Sequence, residues 1–170
     1  LARDADEAVR HDLARKIARL APTLSLEERE QVRELTIEVI EVLARDQAVR
    51  IRKLVAEALK DLTDAPPAVI QRLARDAELM VAAPVLQFSP LLSDDDLLEI
   101  IASRPIQGAL ATISSRRGLG ARVIDAIVAK MMQSPAEVPA ITELLANTSA
   151  QIREETLDRI LDHAPAVEAW

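Results

Sequence analysis

The sequence has no cysteine and no tyrosine, one phenylalanine (Phe88), one tryptophan (Trp170) and three glycines. Each shortage excludes something. Without cysteine there is no disulfide, no thiolate metal site and no thiol nucleophile, which fits a cytoplasmic chain. Two aromatic rings are too few for a stacking platform of the kind that holds single-stranded nucleic acid. A composition of Ala, Leu, Val and Ile with little Gly suits closely packed helices and fits poorly with a sheet. No apolar run reaches the ~18 residues that a membrane span needs; the longest, Leu79 to Leu86, is interrupted by Pro84. The opening residues show no charged-then-apolar leader, so no secretory signal is expected. The formal charge of −7 opposes polyanion binding by the molecule as a whole.

What is present is enough for a core: 170 residues, 49% of them hydrophobic, the size of one domain. The tetrapeptide Leu-Ala-Arg-Asp stands at Leu1–Asp4, Leu43–Asp46 and Leu73–Asp76. The first copy begins at the first residue, which leads us to expect a piece of a longer protein. Behind it, Val9, Leu13, Ile17 and Leu20 recur at helical spacing, with Asp4 as a cap. Ser25 and Glu28 form a capping box for a second helix running to about Ala44. That helix carries two stripes, Val32, Leu35, Val39, Val42 and Ile37, Ile40, Leu43. Two apolar sides predict a helix sandwiched between neighbours. A third helix, near Gln47 to Leu62, carries Ile51, Leu54, Val55, Ala58, Leu59 and Leu62.

Shifting the first copy by 42 residues places Val9 on Ile51, Leu13 on Val55 and Arg10 on Arg52. Each unit thus has an Asp in the turn, Asp4 or Asp46, and an Arg six residues later, Arg10 or Arg52. The Arg is placed to reach the Asp of an adjacent unit. This pattern resembles the HEAT family of helical-hairpin repeats, which stack into a solenoid. The third copy keeps Asp76 but has Ala82 in place of the Arg, and Pro84 where the helix should continue. A proline there is expected to kink or end the helix and to interrupt the ladder.

Ser93 then caps a helix opening on Asp94, Asp95 and Asp96. Further helices are expected from Ile106 to about Ser114, Ala121 to Met132 (with Val123, Ile124, Ile127 and Val128 inward), Val138 to Leu145, and Gln151 to His163. This half repeats weakly: Leu110-Ala111 matches Leu145-Ala146, and Leu119, Val123, Ile127 match Ile152, Leu157, Ile160.

The segment VAAPVLQFSPLLSDDDLL, Val81 to Leu98, is similar to the central signature of an uncharacterised bacterial family. The likeness continues through Leu110–Leu119 and Leu144–Ile152. It implies a helical, HEAT-like fold and carries no activity and no catalytic residue with it.

Several residues are candidate sites. Asp94, Asp95 and Asp96 are hard oxygen ligands, yet consecutive helical positions point about 100° apart. Capping of the helix start accounts for them. Arg116, Arg117 and Arg122 surround a Gly118-x-Gly120 loop before a helix start, where an anion or a partner can be held; the P-loop spacing and lysine are missing. Phe88, Leu91 and Leu92 form either a docking patch or a plug at the seam of two halves. Met131-Met132 carries the same ambiguity. His11 and His163 are at opposite ends of the array, so neither a shared catalytic nor a metal site is expected.

The reading is therefore all-α: about ten helices in HEAT-like hairpins forming a short α-solenoid, with HEAT-like units over residues 1–88, a second helical half over 89–165 and a tail over 166–170. The function expected is a non-catalytic protein-interaction scaffold or adaptor without cofactor or metal. The partner would be a protein, with no membrane involved, and an uncapped terminal repeat offers a route to a homodimer. The alternatives are a nucleic-acid-binding HEAT-like protein, against which charge and aromatic content argue, and a sensor of a small phosphorylated ligand, resting on the Arg116 loop.

Overall fold

The computed structural model describes Asp12 and residues 26–103, 105–133 and 138–162. The expected helix Leu1–Leu20, the Asp4–Arg10 pair, His11, the Ser25 capping box, His163 and the tail fall outside the described residues. Nine helices and no strand occur among the described residues. They are α1 (Leu26–Leu43), α2 (Val49–Leu59), α3 (Pro67–Ala74), α4 (Leu79–Phe88), α5 (Asp94–Ala102), α6 (Ala109–Ser114), α7 (Ala121–Met131), α8 (Val138–Ala146) and α9 (Glu154–Asp162).

Two compact units divide the chain. The first runs to Val85 and takes in Ser89–Leu91; the second takes Leu86–Phe88 and continues from Leu92. In the first, α1 packs on α2 and α2 on α3. In the second, α5 packs on α7 and α7 on α9, while α6 packs on α8, and α7 also touches α6 and α8.

One burial pattern recurs in the helices. Positions i, i+1, i+4 and i+5 are all buried in α3 (Val69, Ile70, Leu73, Ala74), α4 (Val81, Ala82, Val85, Leu86), α6 (Ala109, Leu110, Ile113, Ser114) and α7 (Val123, Ile124, Ile127, Val128). Adjacent residues on a helix point about 100° apart, so such a helix is covered over a wide arc and not along a single seam. In α2 the apolar members are Ile51, Val55 and Ala56, and the i+1 position is Arg52. The helix α3, only eight residues long, has no periodicity extended enough to delimit it in the sequence; Pro66-Pro67 starts it, proline being favoured where no N–H is needed.

Several expectations are corrected. The two-sided α1 holds only in part: Leu43 and Ala44 are buried, but Val42, of the other stripe, is 68% exposed. In α2 the buried set is Ile51, Val55, Ala56 and Leu59, and the helix stops at Leu59, leaving Leu62 at the surface. Asp46 does lie in the turn as expected: its carboxylate accepts from the N–H of Ala48, the N-cap of α2, at 2.8 Å. The α6 helix starts at Ala109, not Ile106, because Gly108 takes a left-handed conformation (φ 86) as its N-cap, a conformation that favours glycine. Most instructive is Pro84. The helix α4 does not end there but continues to Phe88. The missing N–H deprives only the carbonyl of Met80 in the first turn, and Met80 is 52% exposed. The fully buried Val81, Ala82, Val85 and Leu86 hold the helix together on either side of the proline.

A bidentate polar link in the first unit joins successive turns. Arg52 donates from Nε to Asp76 Oδ2 at 2.6 Å and from Nη2 to Asp76 Oδ1 at 2.9 Å. Its Nη1 donates to the carbonyls of Asp46 (2.9 Å) and Gln47 (3.3 Å) at the start of its own hairpin. Asp76 Oδ1 also accepts from the Glu78 N–H at 3.0 Å. The side chains are 15% and 10% exposed. Burial alone would raise the Asp76 carboxyl, but the Arg52 hydrogen bond, the Glu78 N–H and the Arg52 and Arg72 charges outweigh it and leave it below the ordinary carboxylate value. Arg52 is held above its ordinary value, chiefly by the bond to Asp76.

A depressed carboxyl stabilises the fold above its unfolded pKa and loses that contribution as pH falls through the folded value. Asp76→Asn is therefore expected to destabilise at neutral pH by roughly 3 kcal/mol, the scale of breaking a largely buried pair. The gap between wild type and variant should close as pH falls below 3.8, the ordinary carboxylate value. Urea unfolding across pH measures both; a gap independent of pH would show that the carboxylate charge is not what the fold uses.

Candidate functional site

The α6–α7 loop collects the arginines that the sequence singles out, and the structure gives each a different place. Arg116 turns inward. Its Nη1 donates to the Leu86 carbonyl at 3.2 Å and its Nη2 to the Leu92 carbonyl at 3.3 Å. Burial lowers the Arg116 pKa, with the charge of Asp94 acting in the opposite direction; the guanidinium stays charged at any physiological pH. Arg117 is exposed. Arg122 meets Asp95 at 3.4 Å with both side chains largely in water, 74% and 82% exposed, where such a pair contributes at most about 1 kcal/mol.

The three consecutive aspartates diverge as their spacing requires. Asp96 closes the capping box with Ser93: the Asp96 N–H donates to Ser93 Oγ (3.2 Å) and the Ser93 N–H to Asp96 Oδ2 (2.9 Å). Asp95 faces Arg122. The Asp94 carboxylate lies against Gly120, the N-cap of α7, where a Cβ would collide with it. Among the described residues no cluster of three or more His, Asp or Glu is arranged to hold a metal ion. Asp94 thus places a negative charge beside the helix start at which the Gly118-x-Gly120 loop would otherwise receive an anion.

The other wall is the α8–α9 turn. Asn147 Nδ2 donates to the carbonyls of Ser114 (2.8 Å) and Arg116 (2.7 Å). Its Oδ1 accepts from the N–H and the hydroxyl of Ser149 (3.1 and 2.6 Å), and Ser149 Oγ accepts from the Gly118 N–H at 3.2 Å. Gly118 is left-handed (φ 69). An open depression of about 250 Å³ lies here, lined by Ser115, Arg117, Glu143, Ala146, Asn147, Thr148 and Ser149. Of its polar side chains, Ser115, Asn147 and Ser149 are tied to the loops, while Arg117, Glu143 and Thr148 are exposed. Asn147 and Ser149, the residues that fasten one turn to the next, are absent from the sequence-based site set. Their signal was an Asn two residues before a hydroxyl, which favours a turn in which the side chain bonds its own backbone.

Of the proposed Phe88, Leu91, Leu92 patch, Leu92 is 4% exposed, Leu91 is half-buried and Phe88 is 48% exposed. Met131 is buried and Met132 half-buried. A second inter-turn link joins α7 to α9: Thr156 Oγ1 donates to Asp125 Oδ1 at 2.5 Å, and Arg153 pairs with Asp125 Oδ2. Among the described residues one buried side-chain oxygen, Ser114 Oγ, has no hydrogen-bond partner.

Three mutational outcomes follow from this geometry. Arg116→Ala leaves two carbonyls without their donor and should destabilise by about 2 kcal/mol, on the scale of hydrogen bonds to charged groups. Arg117→Ala should leave the melting temperature unchanged, and phosphate titrated calorimetrically into wild type and the Arg116/Arg117 double alanine variant should give no heat of binding in either. Ser114→Ala removes an unsatisfied buried hydroxyl, so its stability should equal or exceed wild type by up to about 1 kcal/mol; a clear loss would show that the hydroxyl has a partner after all.

No curated protein matches the chain, and no solved structure matches it. A family model does match, over residues 81–170, just over half of the sequence; it covers α5 to α9 and nearly all of α4, which includes the inward Arg116, the divergent aspartates and the Asn147 turn. The chain belongs to the family described as an uncharacterised protein conserved in bacteria (DUF2336).

Proposed function

We propose that the helical pairs within each unit are HEAT-like repeats and that the chain is a non-catalytic, cytoplasmic protein-interaction scaffold or adaptor. The observation that carries the reading is the link between successive turns, with Arg52 holding both its own turn and Asp76 of the next. Such a rung belongs to a structure whose units bury against their neighbours, and stacked units offer partners an extended surface. The Asn147 link between the α6–α7 and α8–α9 turns serves the same end with a different side chain. The titratable groups also favour binding over turnover: Arg52, Asp76, Arg116 and Asp125 are engaged in structural contacts.

The nucleic-acid alternative draws no support from a charge of −7, and the phosphorylated-ligand alternative is weakened by the Asp94 carboxylate beside Gly120. Cross-linking and pull-down from native bacterial lysate with the tagged full chain should recover a reproducible, near-stoichiometric protein partner. Repeated failure to recover one, together with turnover in an activity screen, would overturn the reading.

A further inference from the structure

The recurring burial pattern breaks at one place, and the break marks a surface. In α6 and α7 all four positions are buried: Ala109, Leu110, Ile113, Ser114 and Val123, Ile124, Ile127, Val128. The same i, i+1, i+4, i+5 set in α8 is Ala140, Ile141, Leu144, Leu145, and in α9 it is Thr156, Leu157, Ile160, Leu161. There only the i and i+4 members are buried: Ala140, Leu144, Thr156 and Ile160. Ile141 is half-buried, while Leu145, Leu157 and Leu161 are 51%, 40% and 57% exposed. The inner pair α6–α7 is covered in part by α8 and α9. The helices α8 and α9 have the side chains for the same covering, and among the described residues no helix covers their Leu145, Leu157 and Leu161.

The charges around that face say what would fit. Along α9, Glu154, Asp158 and Asp162 form an i, i+4, i+8 row beside the Leu157–Leu161 row, and all three are exposed. Glu143 of α8 and Glu155 of α9 are exposed as well. The nearby arginines are engaged elsewhere: Arg153 pairs with Asp125, and Arg159 approaches the Met132 sulfur at 3.9 Å. A second copy seated on this face by a two-fold axis would set acid row against acid row, which like charge disfavours.

We propose that the exposed side of α9 is a docking surface for a basic amphipathic helix of a partner protein, its apolar stripe taking Leu157 and Leu161 and its flanking Lys or Arg meeting the acidic row Glu154, Asp158 and Asp162. This rests on the scaffold reading and gives it a place and a partner chemistry.

The test uses the full chain and two synthetic amphipathic helices with the same leucine face, one flanked by lysines and one by glutamates, titrated by fluorescence anisotropy at low salt. The lysine peptide should bind, and the glutamate peptide should bind at least about tenfold more weakly, or not at all. Leu157→Ser/Leu161→Ser and, separately, Asp158→Lys should each weaken the lysine peptide about tenfold. Because these positions are exposed, circular dichroism and melting temperature should stay at wild-type values; the Asp158→Lys variant keeps the test usable if the double serine variant melts early. Equal binding of the two peptides, or binding indifferent to all three substitutions, overturns the proposal. So does a dimer in analytical ultracentrifugation that Leu157→Ser/Leu161→Ser dissolves, which would put a second copy on the face. A partner still recovered from lysate by the double serine variant overturns this surface and leaves the scaffold reading standing.

Discussion

Helices of six to eleven residues, which make up all but one of those described, cannot hold themselves in water, because isolated helices this short are marginal even with favourable sequences. Everything else in the structure follows from that constraint. Each helix must be covered by others over a wide arc, and the i, i+1, i+4, i+5 set of α3, α4, α6 and α7 is the side-chain expression of it. The same constraint explains how α4 tolerates Pro84: the helix is held by Val81, Ala82, Val85 and Leu86 at zero exposure, so the loss of the one backbone bond to the Met80 carbonyl does not end it.

Apolar covering leaves the polar ends of the helices to be satisfied, and the chain does this with one device in different chemistries. Asp46 and Asp76 each accept from the N–H two residues on, and so does Asn147. The side chain that then ties one turn to another is Arg52 in the first unit and Asn147 itself in the second. A guanidinium spans a longer gap and grips a carboxylate with two bonds; a carboxamide reaches two neighbouring carbonyls and needs no counter-charge. Arg116 extends the theme, satisfying the Leu86 and Leu92 carbonyls from the interior of the second unit. Arginines and aspartates that look like a reactive surface in the sequence are thus largely the means by which turns are fixed, and the acidic row of α9 stands apart because its carboxylates are at the surface.

Much of the fold was legible beforehand. The inward set Val123, Ile124, Ile127 and Val128, the capping role of Ser93 and the reach of Arg52 to the Asp of an adjacent turn were readable from spacing, since helical periodicity and turn chemistry are local. Less of the candidate site could be read. Arg116 and Arg117 are adjacent in sequence and alike in chemistry, yet one is half-buried and the other exposed; which of two neighbouring arginines turns inward depends on carbonyls 24 and 30 residues away. Asn147 was seen as a turn residue and not as a fastener, because its two acceptors belong to a different loop.

By itself the sequence determined that the chain is helical, where the helices at Asp94, Ala121 and Val138 begin, and that successive turns would be joined by Arg52 and an Asp, because each of these rests on spacing within a few turns of helix. Tertiary structure alone decided that Pro84 would lie within a helix, that Asp94 would fill the place beside Gly120, and that Leu145, Leu157 and Leu161 would remain at the surface while their counterparts in α6 and α7 do not. Those outcomes depend on which helices are present to cover a given face, and a residue's own neighbours in the chain carry no record of that.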